Sequence, residues 1–501
     1  MRTKKAMYNF LTYFLLQIIS NVTGFILPVM VIQHYGSVVN GIIAVVKQFM
    51  VFFNLIETGV GMAAIQLLFN PLANREAMKI NQILSASRRF YHRTGAWLAL
   101  IVTLFAIVYP SLVHGSLSKV YMTALILVVL GAGVAEYLLM GTYRVLLTAD
   151  QKSYVVSLVQ SVGLIANNMI AITLITLDSS ILIVQLIASA VYVSRVSILA
   201  FYVKRNYKDL NIKVNATMDV IPTRWDTFMQ QIASMAIFNM PMIVLSMFSD
   251  FKAVSLYAVY NTVFGAVSML ILSFSSGIMS GFGQLIALKD KRQLQQAYNM
   301  YEYIYYIIMI WGYTCSVLLI MPFVRLYTAK LHDPAYVDPL LAMMFVAVGL
   351  LNHIREPQYT IVIAAGHYKE TRMRMLVEAC INVVASLVFV MFFGIYGVLL
   401  GGICSFLFRA IDLIHYGNRV VLKKSPYHSV RRLVVNIIAA ACIVGGGGRF
   451  IENSSNWIEW IFESIIVAIV VMSVFIVCNV VAEPASAKEL TSRIKRLIGK
   501  T

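Results

Sequence analysis

The sequence predicts an all-α polytopic membrane protein of about fourteen transmembrane helices. Hydrophobic residues make up 60% of its 501 residues and charged residues 12%, which leaves no room for a sizeable soluble domain. The apolar residues gather into stretches near or above the roughly 20 residues that cross a hydrocarbon core about 30 Å thick. Nearly every basic residue lies between those stretches, on alternate sides only.

In chain order the spans fall at about 8–32, 40–68, 95–115, 119–146, 153–176, 180–203, 227–249, 253–287, 301–323, 336–365, 371–393, 395–417, 431–450 and 459–482. The first lacks a small-residue cleavage motif and reads as a retained helix rather than a signal peptide. With a cytoplasmic N-terminus, 31 of the 40 Lys and Arg fall in cytoplasmic segments and the span ends adjoining them. Only Lys119, Lys252, Arg325, Lys330 and Arg449 fall outside. Shifting one span would scramble this division, so the positive-inside bias sets orientation and span number together, with both termini cytoplasmic.

The outer loops are a few residues each, apart from about 324–335, whereas the inner loops 69–94, 204–226, 288–300 and 418–430 are longer. Within 78–90, Ile80, Ile83, Leu84 and Ser87 share one helical face suited to the inner interface. The run Lys488–Lys500, with Leu490, Ile494, Leu497 and Ile498, reads the same way, and a short solvated helix is the alternative for both. Tyr301, Tyr303, Tyr305 and Tyr306 near a span end read as an aromatic belt.

A net charge of +18 would suggest nucleic acid in a soluble chain. Here the charge is juxtamembrane and faces anionic headgroups, so membrane lipids are expected partners and nucleic acid is not. Cys315, Cys380, Cys404, Cys442 and Cys478 all fall inside spans without C-x-x-C spacing, which indicates neither a disulfide framework nor a metal site. With no external loop long enough to hold catalytic groups, no enzyme, no catalytic residue and no organic cofactor is expected.

The halves of the chain resemble each other. Leu27-Pro28-Val29-Met30 ends span 1 and Met240-Pro241-Met242-Ile243 lies in span 7; each precedes a long span rich in Gly or Ser, with Gly59 and Gly61 in one and Ser273 to Gly283 in the other. The pairing predicts an N-lobe at 1–226 (spans 1–6), a C-lobe at 227–430 (spans 7–12), and spans 13–14 with a basic tail at 431–501. Two six-helix bundles would then flank a central cavity, as in transporters whose repeats rock about a midplane site. The in-helix prolines permit bending or a fixed kink.

Ionisable residues inside spans are costly and usually face a cavity or a partner. The cations are Lys47, Arg195, Arg355 and Arg409. Arg195 and Arg409 lie roughly 12 Å above the cytoplasmic ends of their helices, Arg355 about 15 Å up, and Lys47 about 10 Å below the outer end. They predict a cationic lumen, where a guanidinium fork suits phosphate. Pro357 breaks the helix beside Arg355 and frees backbone groups that need a wet or buried setting. Glu57, Glu136 and Asp412 are candidate H+ or Na+ coupling groups or charge partners, with Asp412 three residues from Arg409. Glu378 reads as interfacial, and His353 and His415 as structural.

Ala364-Ala365-Gly366-His367-Tyr368-Lys369-Glu370, Glu378-Ala379-Cys380-Ile381-Asn382 and Gly394-Ile395-Tyr396-Gly397-Val398 resemble the polysaccharide-transporter family. So do Tyr35-Gly36 through Asn40-Gly41, Phe53-Asn54-Leu55-Ile56-Glu57-Thr58-Gly59-Val60-Gly61 and Asn70-Pro71-Leu72-Ala73. With fourteen spans, the chain looks like a Wzx-type oligosaccharide-lipid flippase of the MOP superfamily, which also holds MATE exporters and lipid II flippases. The resemblance implies alternating access that carries undecaprenyl-diphosphate-linked oligosaccharide repeat units (capsule, O-antigen or exopolysaccharide precursors) to the outer leaflet of a bacterial cytoplasmic membrane. It also implies a polysaccharide polymerase and glycosyltransferases as partners, and H+ or Na+ coupling stays open. The alternatives are a lipid II flippase and a MATE-like cation-coupled drug exporter; the latter would want an acidic lumen.

Overall fold

A computed structural model describes residues 2–113, 117–208, 210–211, 214, 225–275, 278–288, 290–329, 331, 336–447 and 456–498. Among the residues named above, Ser276, Gly277, Lys330, Arg449 and Lys500 lie outside that set, as do the side chains of Phe53, Asn54, Leu55, Ile56, Glu57, Thr58, Val60, Ala73, Tyr368, Ile494, Leu497 and Ile498. The described residues are almost entirely helical. They form α1 (Arg2–Asn74), α2 (Ala77–Leu112), α3 (Lys119–Ala149), α4 (Ser153–Thr176), α5 (Ile181–Asn206), α6 (Trp225–Phe248), α7 (Phe251–Ser273) and α8 (Ile278–Ala287). Then come α9 (Lys291–Tyr327), α10 (Pro339–Ile354), α11 (Glu356–Ala364), α12 (Tyr368–Phe393), α13 (Ile395–Tyr416), a π turn (Gly417–Leu422), α14 (Tyr427–Gly447), α15 (Trp457–Ala482) and α16 (Pro484–Ile498).

Thirteen helical stretches among the described residues are long and apolar enough to cross a membrane. The first, Leu11–Val51, runs through Gly36, whose φ of 85° and ψ of 167° break α1 into two arms. That backbone region is open only to glycine. Counting the arms separately recovers the fourteen spans predicted, and the chain is a multi-pass membrane protein.

The chain forms two compact units, Met1–Ala258 and Val259–Thr501. In the first, the leading arm of α1 lies along α4 and is tied at both ends. Asn9 accepts from the Tyr154 N–H at 2.7 Å and donates to the Gln151 carbonyl at 3.2 Å. The Tyr35 hydroxyl donates to the Ser179 carbonyl at 2.5 Å. The second arm meets α7 where Asn40 donates to Ser255 Oγ at 2.8 Å, and α6 meets α2 where Tyr109 donates to Ser246 Oγ at 2.7 Å. Such interhelical polar contacts matter because apolar faces gain little by leaving lipid for one another. The predicted lobe boundary at 226/227 rests on the Pro28 and Pro241 repeat, which these contacts do not address; both prolines sit inside helices, α1 and α6.

In the second unit α9 is the central element, with α14 and α15 against it. Trp311 donates to the Ala468 carbonyl at 2.9 Å. α15 is apolar all round, yet it buries only Val467, Val471, Phe475 and Asn479, a stripe at four-residue spacing. Its other faces are available to lipid. α12 and α13 form a close hairpin through Gly394 (φ 53°). They approach so tightly at Gly397 that a Cβ there would stand 2.1 Å from the Phe389 carbonyl oxygen.

Two expectations are corrected. Residues 78–90 are no separate interface helix but the opening turns of the 36-residue α2, with Ile83, Leu84 and Ser87 buried. The tyrosines of α9 are no aromatic belt: Tyr301, Tyr303, Tyr305 and Tyr306 are all buried. Tyr306 donates to the Ile354 carbonyl at 3.2 Å, and Tyr301 bonds with Ser275 Oγ at 2.8 Å. An amphipathic phenol suits a bilayer interface, but it suits equally a helix core that offers polar partners.

Candidate functional site

The α12–α13 hairpin carries a polar seam through the membrane. Arg374, Glu378, Asn382 and Ser386 recur every fourth residue on α12, so they fall on one face. On α13, Gly401, Ser405, Arg409 and Asp412 do nearly the same. The antiparallel helices join them rung by rung. Ser386 Oγ donates to the Val398 carbonyl at 3.4 Å and Asn382 Nδ2 to Ser405 Oγ at 2.9 Å. Arg409 Nε lies 3.4 Å from Glu378, and its Nη1 bonds Asp412 at 2.7 Å. Arg374 also pairs with Asp412.

Arg355 completes this row. Pro357 ends the backbone ladder where α10 gives way to α11, and Arg355 is the residue at the break. Its Nη1 pairs with Glu378, Nη2 donates to Asn352 Oδ1 at 2.8 Å, and Nε donates to the Asn352 carbonyl at 3.2 Å. The guanidinium also lies 5.1 Å from the centre of the Phe406 ring. The charges therefore alternate: Arg355, Glu378, Arg409, Asp412, Arg374. Three guanidinium groups face two carboxylates within the row, and Glu356, next along the chain, adds a third acid in electrostatic contact with Arg355. Arg409 and Glu378 are nearly inaccessible, while Arg355 is 12% and Arg374 41% exposed, so access comes at the ends of the row.

Arg355 and Arg409 are thus brought together with Glu378 as their shared partner, while Asp412 joins Arg409 to Arg374. The absence of an acidic residue at helical spacing within its own helix does not leave Arg355 unpaired, because Glu378 reaches it from α12. Glu378 itself is buried rather than interfacial, since it faces α13 and not lipid. His353 is structural as expected: buried, with Nδ1 bonded to the Gly349 carbonyl at 2.7 Å and near the Tyr313 hydroxyl at 3.1 Å.

Arg195 and Glu136 form a separate pair in the first unit. Arg195 Nη2 is 3.0 Å from Glu136 Oε1, within ionic range although not aligned as a hydrogen bond. Its Nε donates to the Tyr192 carbonyl at 2.7 Å, and its guanidinium lies 3.2 Å from the centre of the Tyr192 ring. Glu136 also holds Arg144 at 3.2 Å. A bare Gly163 on α4 makes room for the Arg195 stem, since a Cβ there would stand 2.0 Å from Arg195 Cδ. Arg195 is therefore fully enclosed among α3, α4 and α5, with no face left for a ligand. Lys47, on the second arm of α1, is exposed and makes no ion pair or hydrogen bond among the described residues. The Glu57 side chain lies outside the described residues.

A further cluster was not singled out from the sequence. Glu302 of α9 is buried and accepts from Tyr298 at 3.0 Å, Gln358 at 2.8 Å, Ser429 at 2.6 Å and Arg432 at 2.8 Å. Arg432 turns its other edge to Glu483, with Nη2 and Nε donating at 2.6 and 2.8 Å. Burial raises the pKa of Glu483, but hydrogen bonds from Arg432 and Ser486 outweigh it and hold the carboxyl below its ordinary value. This cluster binds α9, α11, α14 and the start of α16. Each acceptor site on Glu302 is filled from within the chain, which marks it as a fastening rather than a binding site.

No protein-family model matches the sequence, and no curated protein is similar to it in sequence. Among solved structures, the fold is similar to lipid II flippase MurJ in an inward closed conformation, with a TM-score of 0.66 at 14% identity over 92% of this chain and 97% of that one. It is also similar to an inward-facing multidrug resistance MATE family transporter of the MOP superfamily, with a TM-score of 0.62 at 12% identity over 80% and 94%. An outward-facing MATE transporter gives a TM-score of 0.55 at 15% identity over 84% and 96%. These neighbours are transporters and flippases. The chain shares the all-helical fold of these neighbours.

Proposed function

We propose that the protein is a flippase for undecaprenyl-diphosphate-linked oligosaccharide repeat units, moving them from the inner to the outer leaflet of a bacterial cytoplasmic membrane by alternating access. The observation that carries this reading is the set of three guanidinium groups in the Arg355–Glu378–Arg409–Asp412–Arg374 row, with Arg355 partly accessible beside a broken helix. A diphosphate-sugar head is too polar to cross hydrocarbon unaided. Arg355 would exchange Glu378 for a phosphate oxygen with little penalty, because Glu378 keeps Arg409 as a partner. The polyprenyl tail would stay in lipid. The Arg195–Glu136 pair would hold the first unit rigid.

The similarity to lipid II flippase MurJ supports a second cargo of the same chemistry, lipid II itself. A row built on three guanidinium groups disfavours the cationic cargo of a MATE-like exporter. Depleting the protein and analysing undecaprenyl-diphosphate-linked sugars distinguishes these readings. Accumulation of a repeat-unit oligosaccharide supports the proposal, accumulation of lipid II supports the second cargo, and no accumulated lipid-linked sugar refutes both.

A further inference from the structure

The last helix is built differently from the fifteen before it. α16 follows directly on the membrane-crossing α15, and Glu483 at the join is held by Arg432. Along α16, Ala487, Leu490, Ile494, Leu497 and Ile498 fall within an arc of about 100° at the helical pitch. The remaining arc carries Lys488, Arg493, Lys495 and Arg496 against one acidic residue, Glu489. Lys488 and Arg493 are exposed and Leu490 is half-buried. At 15 residues, about 22 Å, with a polar face along its whole length, the helix cannot cross the bilayer. Its start is fixed at the end of a span, which is the level of the lipid headgroups.

We propose that α16 lies in the headgroup layer as a docking element for anionic lipid, its apolar arc toward the acyl boundary and its basic arc among lipid phosphates. A narrow apolar face with cationic flanks is the pattern that binds such a surface through buried area and charge together. The occupant is lipid rather than protein because the helix continues from a membrane span and its charge complements an anionic leaflet. The consequence is regulatory: Arg432 links the base of α16 to Glu302 in the centre of the unit, so docking steadies the inner ends of α9 and α14.

Amide exchange of the full-length protein in nanodiscs tests this without any label. In discs containing phosphatidylglycerol, amides over 487–498 exchange on the order of tenfold more slowly than in discs of phosphatidylcholine alone. High salt removes most of that difference, because surface charge is screened. The variant K488E/R493E/K495E/R496E loses it, while the spans keep their wild-type protection. Equal protection in both lipids overturns the proposal in favour of packing on the protein itself. Equal, rapid exchange in both overturns it in favour of a solvated helix.

Discussion

Arg355→Ala separates a transport role from a structural one. The side chain gives up its ion pair with Glu378 and two hydrogen bonds to Asn352. Breaking a buried pair costs about 3–5 kcal/mol when the remaining charge is stranded. Here Glu378 retains Arg409 at 3.4 Å, so the loss falls at or below the low end of that range. If Arg355 also contacts a cargo phosphate, the lost charge-assisted bond is worth about 1.5–3 kcal/mol, a drop in transport of roughly tenfold to more than a hundredfold. The double variant Arg355→Ala with Glu378→Ala removes the stranded carboxylate, and Arg409 keeps Asp412. The double variant therefore regains melting temperature over the single one but not export. Arg355→Lys keeps the charge, loses the fork and exports at an intermediate rate. The assays are surface polysaccharide per cell, normalised to membrane abundance, and thermal unfolding of the purified protein. Wild-type export by the double variant at wild-type abundance would show that Arg355 touches no cargo.

Arg432→Ala strands Glu302 and releases Glu483, and should lower stability by about 3–5 kcal/mol, read as a large fall in melting temperature; an unchanged melting curve would refute the fastening role of this cluster. The Glu483 carboxyl is depressed on folding, so its contribution is present above the ordinary value of 4.5 and is lost as pH falls below that value through the folded one. The melting difference between wild type and Glu483→Gln should thus be constant near neutral pH and vanish in acid, and a difference that grows in acid would reverse the sign. Single cysteines at Asn74, Lys208, Lys291 and Lys423 should react only from the cytoplasm in intact cells, and labelling of any one from outside would break the predicted orientation.

The spans were readable because each depends on a one-dimensional property, the length of an apolar run between charges. What a side chain faces is not such a property. Distance from the end of a span makes Glu378 read as interfacial, yet its surroundings follow from the face it shares with Arg374, Asn382 and Ser386. That four-residue spacing, answered by Gly401, Ser405 and Arg409 on the next span, was present in the sequence and pointed to a polar seam. Arg432 and Glu302 were missed for a related reason. In one dimension Arg432 is one more charge beside a span, whereas in the fold a buried acid on another helix takes it up. Tyr301 and Tyr306 of α9 show the converse, a composition that fits two environments until neighbouring helices supply the partners.

The break between α10 and α11 has a mechanical consequence. On one side of it, Arg355 clamps the chain to α12 and, through Glu378, to α13; three residues later Gln358 clamps it to Glu302 and so to α9 and α14. A helix interruption usually supplies a hinge, but here both flanks are fastened, to different helices, before the chain has advanced a single turn. Any rotation about Pro357 would pull on two sets of buried charges at once. As long as Arg355 holds Glu378, the break therefore acts as a rivet that makes the surrounding helices move as one piece. Bending within this unit must be sought elsewhere along the chain.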